Sequence, residues 1–289
     1  MFTIENEYLS VAAVSKGAEL SSLYNKEKQR ECMWRGDPAW WGKKSPVLFP
    51  IVGALKDNTY YFNGQAYQLG RHGFARDREF IPQENSTTSM TFLLESDAST
   101  LRVFPFPFRL SISYQLHEKR LSVQYRVTNT GSADMYFSIG GHPAFAVPFS
   151  PGDSYNNYVL LFDEAEEAGR WPITPEGLLK ANPEPLLNNN NILPLTKQLF
   201  YNDAVVFKNL RSGSVAIIAK HAPEKLTVDF TGFPYLGIWT AHDADFVCIE
   251  PWCGIADSIA TNQQLTEKEG INCLAARDTF KRSWSVTID

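Results

Sequence analysis

Apolar and polar residues alternate with a period of two over much of this chain, the spacing of strands that bury one face. Phe108, Leu110, Ile112, Tyr114 and Leu116 are separated by polar positions, as are Leu121, Val123, Tyr125 and Val127, with His117-Glu118-Lys119 as the turn between the two runs. Residues 59–62 and 65–69 flank Asn63-Gly64, the dipeptide of a tight hairpin. The same pattern predicts strands at 8–14, 17–24, 89–95, 135–139, 157–162, 204–207, 214–218, 225–230, 235–240, 246–249 and 284–288. Helical spacing is scarce, and only single turns are expected, at 38–41 and 256–260. Many short strands with few helices predict an all-β sandwich or barrel. Residues 163–199 are rich in Pro, Asn and Glu and read as a long surface excursion with a short strand at 171–174. Loops of that length are usually functional.

Composition narrows the partners. All-β units often reach ~200–250 residues, so the 289 residues are expected to form one domain, 1–289. The 27 Lys and Arg against 32 Asp and Glu leave a net charge of −5, which argues against a nucleic-acid surface and a polybasic membrane anchor. No apolar run approaches the ~18 residues of a transmembrane helix, and the first residues carry Glu5 and Glu7 where a signal peptide needs cations. A cytoplasmic protein, a monomer or weak dimer, is expected. Cys32, Cys248, Cys253 and Cys273 show neither zinc nor redox spacing and read as reduced thiols. Phosphate-binding glycine loops, metal-ligand spacings and the nucleophile elbow are all missing from the sequence, so no cofactor and no metal is expected. Aromatic residues make up 13% of the chain, enough for a core and for flat platforms under sugar rings.

Three side chains carry the candidate chemistry. His142 follows Gly140-Gly141 and precedes Pro143-Ala144. It reads either as a buried turn histidine or as a general acid–base group beside a backbone that a ligand can approach closely. His72 lies in Arg71-His72-Gly73-Phe74-Ala75-Arg76. It is either a solvated loop residue or a neutral hydrogen-bond donor whose pKa the neighbouring cations depress. Glu250 ends the apolar run 246–249 before Pro251-Trp252, and an apolar setting raises a carboxyl pKa and makes a better base. Around them, Asp203 is a turn residue or a hydroxyl acceptor, and Arg76 a fork for hydroxyls or an anion, or a partner for Asp77. Trp252 is a sugar-stacking ring or core. Cys248 and Cys253 flank Glu250 and line the site without acting in it. His117, His221 and His242 read as surface or rim residues.

These segments resemble the aldose 1-epimerase (galactose mutarotase) family, and within it the LacX-like branch. The likeness runs through Gly17-Ala18-Glu19-Leu20, Leu48-Phe49-Pro50-Ile51-Val52-Gly53, His72-Gly73-Phe74-Ala75-Arg76, Phe104-Pro105-Phe106-Pro107-Phe108, Gly141-His142-Pro143-Ala144-Phe145, Asn202-Asp203-Ala204 and Glu250-Pro251-Trp252. The resemblance implies a β-supersandwich of large twisted antiparallel sheets and an isomerase of carbohydrate metabolism that interconverts the anomers of a free aldose. It implies Glu250 as general base, His142 as general acid, His72 as a hydrogen-bond donor near the ring oxygen, and Asp203 as the carboxylate that holds hydroxyls. Where the better-studied branch carries an arginine before the first hairpin, this chain has Ala54, with Lys56 and Arg76 as the candidates for its contact. A hexose-6-phosphate mutarotase, a catalytically silent sugar binder on the same fold and a glycoside hydrolase are the competing readings.

Overall fold

The alternating runs become ladders. In the computed structural model, which describes residues 1–150, 152–221 and 224–289, Phe108–His117 pairs with Arg120–Asn129 in an unbroken antiparallel register, Phe108 opposite Asn129 and His117 opposite Arg120. Phe108, Leu110, Ile112, Tyr114 and Leu116 all point inward and are buried. This pair sits within a nine-stranded sheet ordered Glu184–Pro194, Tyr158–Arg170, Ser214–Ala219, Lys225–Asp229, Thr279–Ile288, Arg120–Asn129, Phe108–His117, Ser89–Glu95 and Ile81–Asn85. A six-stranded sheet runs Val205–Lys208, Tyr235–Trp239, Phe246–Cys253, Ile139–Gly141 and Val47–Leu48, with Ala144–Ala146 also on Phe246–Cys253. One continuous core joins the two, with Leu110, Val123 and Val286 from the first and Val205, Ile238, Val247 and Ile249 from the second. The six-stranded sheet therefore has one face sealed against that core and the other free to build a site. A four-stranded sheet at the N-terminus and two two-stranded ribbons complete the fold, one of them the Asn63-Gly64 hairpin, in which both turn residues have positive φ. Among the described residues no helix is long and apolar enough to cross a membrane, and the four cysteines are free thiols.

Four local expectations are corrected. The run 246–249 does not stop at Glu250: the strand continues through Pro251, opposite Leu236, to Cys253. The run 135–139 is two strands, Met135–Phe137 and Ile139–Gly141, in different sheets. The stretch 163–199 is largely strand. Tyr158–Arg170 and Glu184–Pro194 pair along its length through several bulges, and the residues between them fold back over the six-stranded sheet. Residues 256–260 form bridges and turns, not a helix, while the one α-helix among the described residues, Ala98–Val103, is closed by an Asp97–Thr100 capping box.

Candidate functional site

The site is built from a strand register. Gly140 pairs with Trp252 and Ala144 with Cys248, so the same antiparallel register carried across the gap sets position 142 opposite position 250. Side chains directly opposed across such a pair stand about 4.5–5.5 Å apart at Cβ. An imidazole and a carboxylate then meet, and His142 Nε2 lies 3.3 Å from Glu250 Oε2. The two are not aligned for a hydrogen bond, which leaves Oε2 buried without a partner. Pro143 keeps the ladder together by accepting from Ile249 N at 3.2 Å.

Alternation along Phe246–Cys253 decides what surrounds the carboxylate. Val247, Ile249 and Cys253 enter the main core, whereas Phe246, Cys248, Glu250 and Trp252 share the opposite face. Glu250 thus stands between two small apolar clusters. One holds Trp34, Phe246 and Cys248 with Trp41 and Trp239; the other holds Val52, Leu179, Val206, Trp252 and Ile255. Cys253 accordingly does not line the site, and Cys248 is a fully buried neighbour. On the far side of Glu250 the paired residue is Gly237. A Cβ there would stand 2.4 Å from Trp252 Cη2, and one at Gly140 would stand 2.6 Å from Trp252 Cδ1. The indole is clasped between two bare backbones. Gly140 is therefore glycine to seat Trp252, not to admit a ligand, and Gly141 is packed against Tyr125 and Trp284.

His72 comes from the turn after the first hairpin, in a left-handed conformation (φ 69°) uncommon for a residue with a side chain. A reciprocal pair of bonds holds it there: His72 N donates to Gly53 O at 2.9 Å, and Gly53 N donates to His72 Nδ1 at 3.1 Å. Since Nδ1 accepts, Nε2 carries the proton and is the free donor of a neutral ring. The His72 and His142 rings meet edge to face, 5.8 Å between centroids. Trp41 stacks on His142 at 4.9 Å and Trp239 meets it edge-on at 5.6 Å.

These groups line a cleft of about 330 Å³ together with Arg71, Arg76, Asp203, Ile173, Leu179 and Val206. Asp203, also left-handed (φ 74°), is a turn residue, its Oδ1 accepting from Ala204 N at 2.7 Å, and its carboxylate lines the cleft and faces Arg71 at 3.4 Å. Arg76 reaches the cleft and also neighbours Asp77 at 3.6 Å, while its Nη2 donates to Arg71 O at 2.9 Å. Trp252 lines the cleft but is only 5% exposed, so it forms a wall. Lys56 is the residue the structure does not bring in. Its backbone is tied to the loop beneath the cleft, Lys56 N donating to Asp257 Oδ2 at 3.0 Å, and its side chain lies outside the lining. Asp257 is itself locked by a buried ion pair with Lys268 at 2.7 Å. The corner at Ala54 is closed from the other side: a Cβ at Gly177 would stand 3.0 Å from Ala54 Cβ and 3.6 Å from Arg71 Nη1. From the sequence Arg71 stood only beside Arg76 and Arg78 as a candidate for the phosphate of a hexose 6-phosphate, and Trp41, Trp239 and the 171–180 segment were not singled out as cleft residues. Trp239 alone left a legible signal, since it shares a strand face with Gly237 in the predicted run 235–240.

Burial sets the protonation of the site. It pushes the Glu250 carboxyl well above the ordinary range, with Arg71 pulling back and Asp203 adding to the rise. It pushes His142 down to about 3, helped by Arg71 and Arg76. His72 is also held well below its usual value, first by burial and then by His142, Arg71 and Arg76. The sequence argument credited the cations alone. An unpaired charge is costly in such a place, so the resting site is neutral, with a carboxyl, two neutral imidazoles and donors aimed inward. The ligand atoms of His142, Cys248 and Glu250 lie within 4.8 Å of one another. This is the cluster with metal-ligand spacing among the described residues, but burial and Glu250 hold the Cys248 thiol protonated and make it a poor ligand.

Comparison with known proteins agrees with this architecture. A family model described as aldose 1-epimerase matches residues 1–271. The chain is 34% identical to the plasmid-encoded protein LacX of Lactococcus lactis subsp. lactis, over 99% of this chain and 98% of that protein. Among solved structures, a galactose mutarotase related enzyme from Lactobacillus acidophilus superposes with a TM-score of 0.95 at 32% identity, covering 100% of this chain and 97% of that one. A galactose mutarotase-like protein from Lactobacillus casei gives 0.94 at 32% identity, with both chains fully covered. A match of this extent, on the all-β fold that the alternation predicts, establishes the lineage: the chain belongs to the aldose 1-epimerase family.

Proposed function

We propose that the cleft is the active site of a mutarotase that interconverts the α and β anomers of a free hexose, and that the chain works as a single catalytic domain in the cytoplasm. The observation that carries the reading is the opposed pair, His142 Nε2 and Glu250 Oε2 at 3.3 Å, buried in a pyranose-sized cleft. Ring opening removes the proton from the C1 hydroxyl and delivers one to the ring oxygen; the C1–O5 bond breaks as C1=O forms. In the resting pair the proton sits on Glu250, so it first crosses the 3.3 Å to His142 Nε2; the carboxylate so formed takes the C1 hydroxyl proton and the imidazolium gives its own to the ring oxygen, which returns the pair to its resting state. The aldehyde turns about C1–C2, and the steps run backwards on its other face. His72, with Nε2–H free, donates to the ring-oxygen side. Asp203 holds hydroxyls, because its 3.4 Å contact to Arg71 is long and half-exposed and so is readily exchanged for sugar. Trp41 and Trp239 exclude water from the reacting atoms. Each proton transfer contributes roughly 10²–10⁴-fold.

The test is the decay of optical rotation of fresh α-glucose and α-galactose. Wild-type protein is expected to speed it, and Glu250→Gln and His142→Asn each to abolish the acceleration; undiminished activity in both variants defeats the assignment. A hexose 6-phosphate is the second reading, on the observation that Arg71 and Arg76 both line the cleft. Arg71 already faces Asp203 and Arg76 a backbone carbonyl, which places the uncharged hexose first. Adding glucose 6-phosphate to the assay separates the two.

A further inference from the structure

Beside the cleft, across Asp203, lies a second hollow of about 430 Å³, and Ile173, Asp203 and Ala204 line both. A single hexose held at Glu250 and His142 uses none of the other residues there. Their chemistry is that of a neutral polyol site. Arg170 closes on Glu184 through two bonds of 2.7 and 2.9 Å. Arg170 and Lys180 are balanced by Glu184 and Asp203, so an anion entering the hollow meets two carboxylates, whereas hydroxyls find both donors and acceptors. Asn202 adds an amide that offers both. Tyr201 stands at the rim, 44% exposed. Its ring lies flat on His242 at 4.5 Å and 8°, and its hydroxyl donates to Asp243 at 2.8 Å. An aromatic ring fixed in this way and open to solvent is a preorganised platform that loses little entropy when a sugar face packs on it.

Granted the mutarotase reading, a pyranose with its O1–C1–O5 unit at the catalytic pair and hydroxyls at Asp203 presents its distal edge to this hollow. We propose that the hollow is a second sugar subsite, and that the substrate is the reducing unit of a glycan of at least two residues, the next ring lying against Tyr201, Lys180 and Asn202.

The test is calorimetry with anomerically equilibrated sugars, in which no net reaction occurs and only binding is read. Glucose is compared with maltose, cellobiose and isomaltose, and galactose with β-1,4-galactobiose. At least one disaccharide is expected to bind about tenfold tighter than its monosaccharide, equivalent to ~1.4 kcal/mol. Tyr201→Ala and Lys180→Ala, both at exposed positions, are expected to erase that difference and leave monosaccharide affinity unchanged. Equal affinity for each pair, or no binding of any sugar, overturns the subsite. So does a preference that both variants retain. Failure of the mutarotase reading looks different: no acceleration of anomer exchange on any sugar, with the binding contrast intact.

Discussion

His142 and Glu250 are each displaced by burial toward the uncharged form, and this fixes how the pair responds to acid. On the proposed mutarotase reading, the working state holds one proton between them. Taking on a second requires His142 to ionise, at about 3 rather than near the ordinary ~6.5. Losing the one it has requires Glu250 to ionise, which occurs above the usual carboxyl range. The profile of kcat/KM against pH is therefore expected to stay flat from pH 7 down to pH 5 and to fall only on the alkaline side. An acid limb centred near 6.5 means that a solvated imidazole does the work. At this scale much was legible. His72, His142 and Asp203 announced themselves as polar residues in turns at strand ends, and Glu250 as an acid in an apolar run. Arg71 was noted only as one of three arginines for a phosphate, and Lys56 and Arg76 were preferred to it for the contact of the missing arginine, because nothing local tells which way a loop cation points; that is decided by Gly177 and Asp203, more than a hundred residues away.

At the scale of the element, the clasp on Trp252 is the part most sensitive to change. Gly237→Ala places a methyl 2.4 Å from the Trp252 ring, and overpacking of this kind costs typically ~1–3 kcal/mol. The variant is expected to lose stability in urea and, because Trp252 is a wall of the cleft, activity as well. Trp252→Phe in the same chain lacks the ring atoms that clash and is expected to restore part of both. If Gly237→Ala is as stable as wild type, the clasp is not tight. Strand pairs with clean alternation, such as Phe108–His117 with Arg120–Asn129, were readable because one face is buried and the other wet. Glu184–Pro194 was not. Its run of asparagines from Asn188 to Asn191 is poor in strand propensity, and the strand exists through its ladder with Tyr158–Arg170 and not through its own preferences. The fully buried Phe246–Cys253 hid its length for a related reason: with both faces covered there is no alternation to count.

For the whole molecule, the site is a place where stability is given up. Glu250 ionises in the unfolded chain above the ordinary carboxyl pKa but resists ionisation when folded, so the unfolded state releases its proton first. Its contribution thus becomes increasingly unfavourable as pH rises from about 5 toward the folded pKa. Glu250→Gln removes that dependence. The inactive variant is expected to melt on the order of 2 °C higher than wild type at pH 8, with a smaller gap at pH 5; a gap that shrinks as pH rises contradicts the shift. The periodicity alone made an all-β sandwich or barrel legible, and the resemblance to the family chose the pair of large sheets. The segment that folds back over the cleft was not, since Ile173, Gly177 and Leu179 are brought there by contacts with Ala54, Asp257 and Val206.

On the proposed mutarotase reading, the facing of His142 and Glu250 also constrains how the activity can be lost or altered. A one-residue slip between Phe246–Cys253 and its partners would send the acid into the oily interior and turn Ile249 outward, so a misthreaded sheet is inert as well as unstable. Substitutions around the mouth leave the spacing of the two proton carriers untouched, because backbone pairing and not the surrounding loops sets it. If the pair carries the proposed reaction, preference for one sugar over another is thus free to drift on a fixed catalytic gauge.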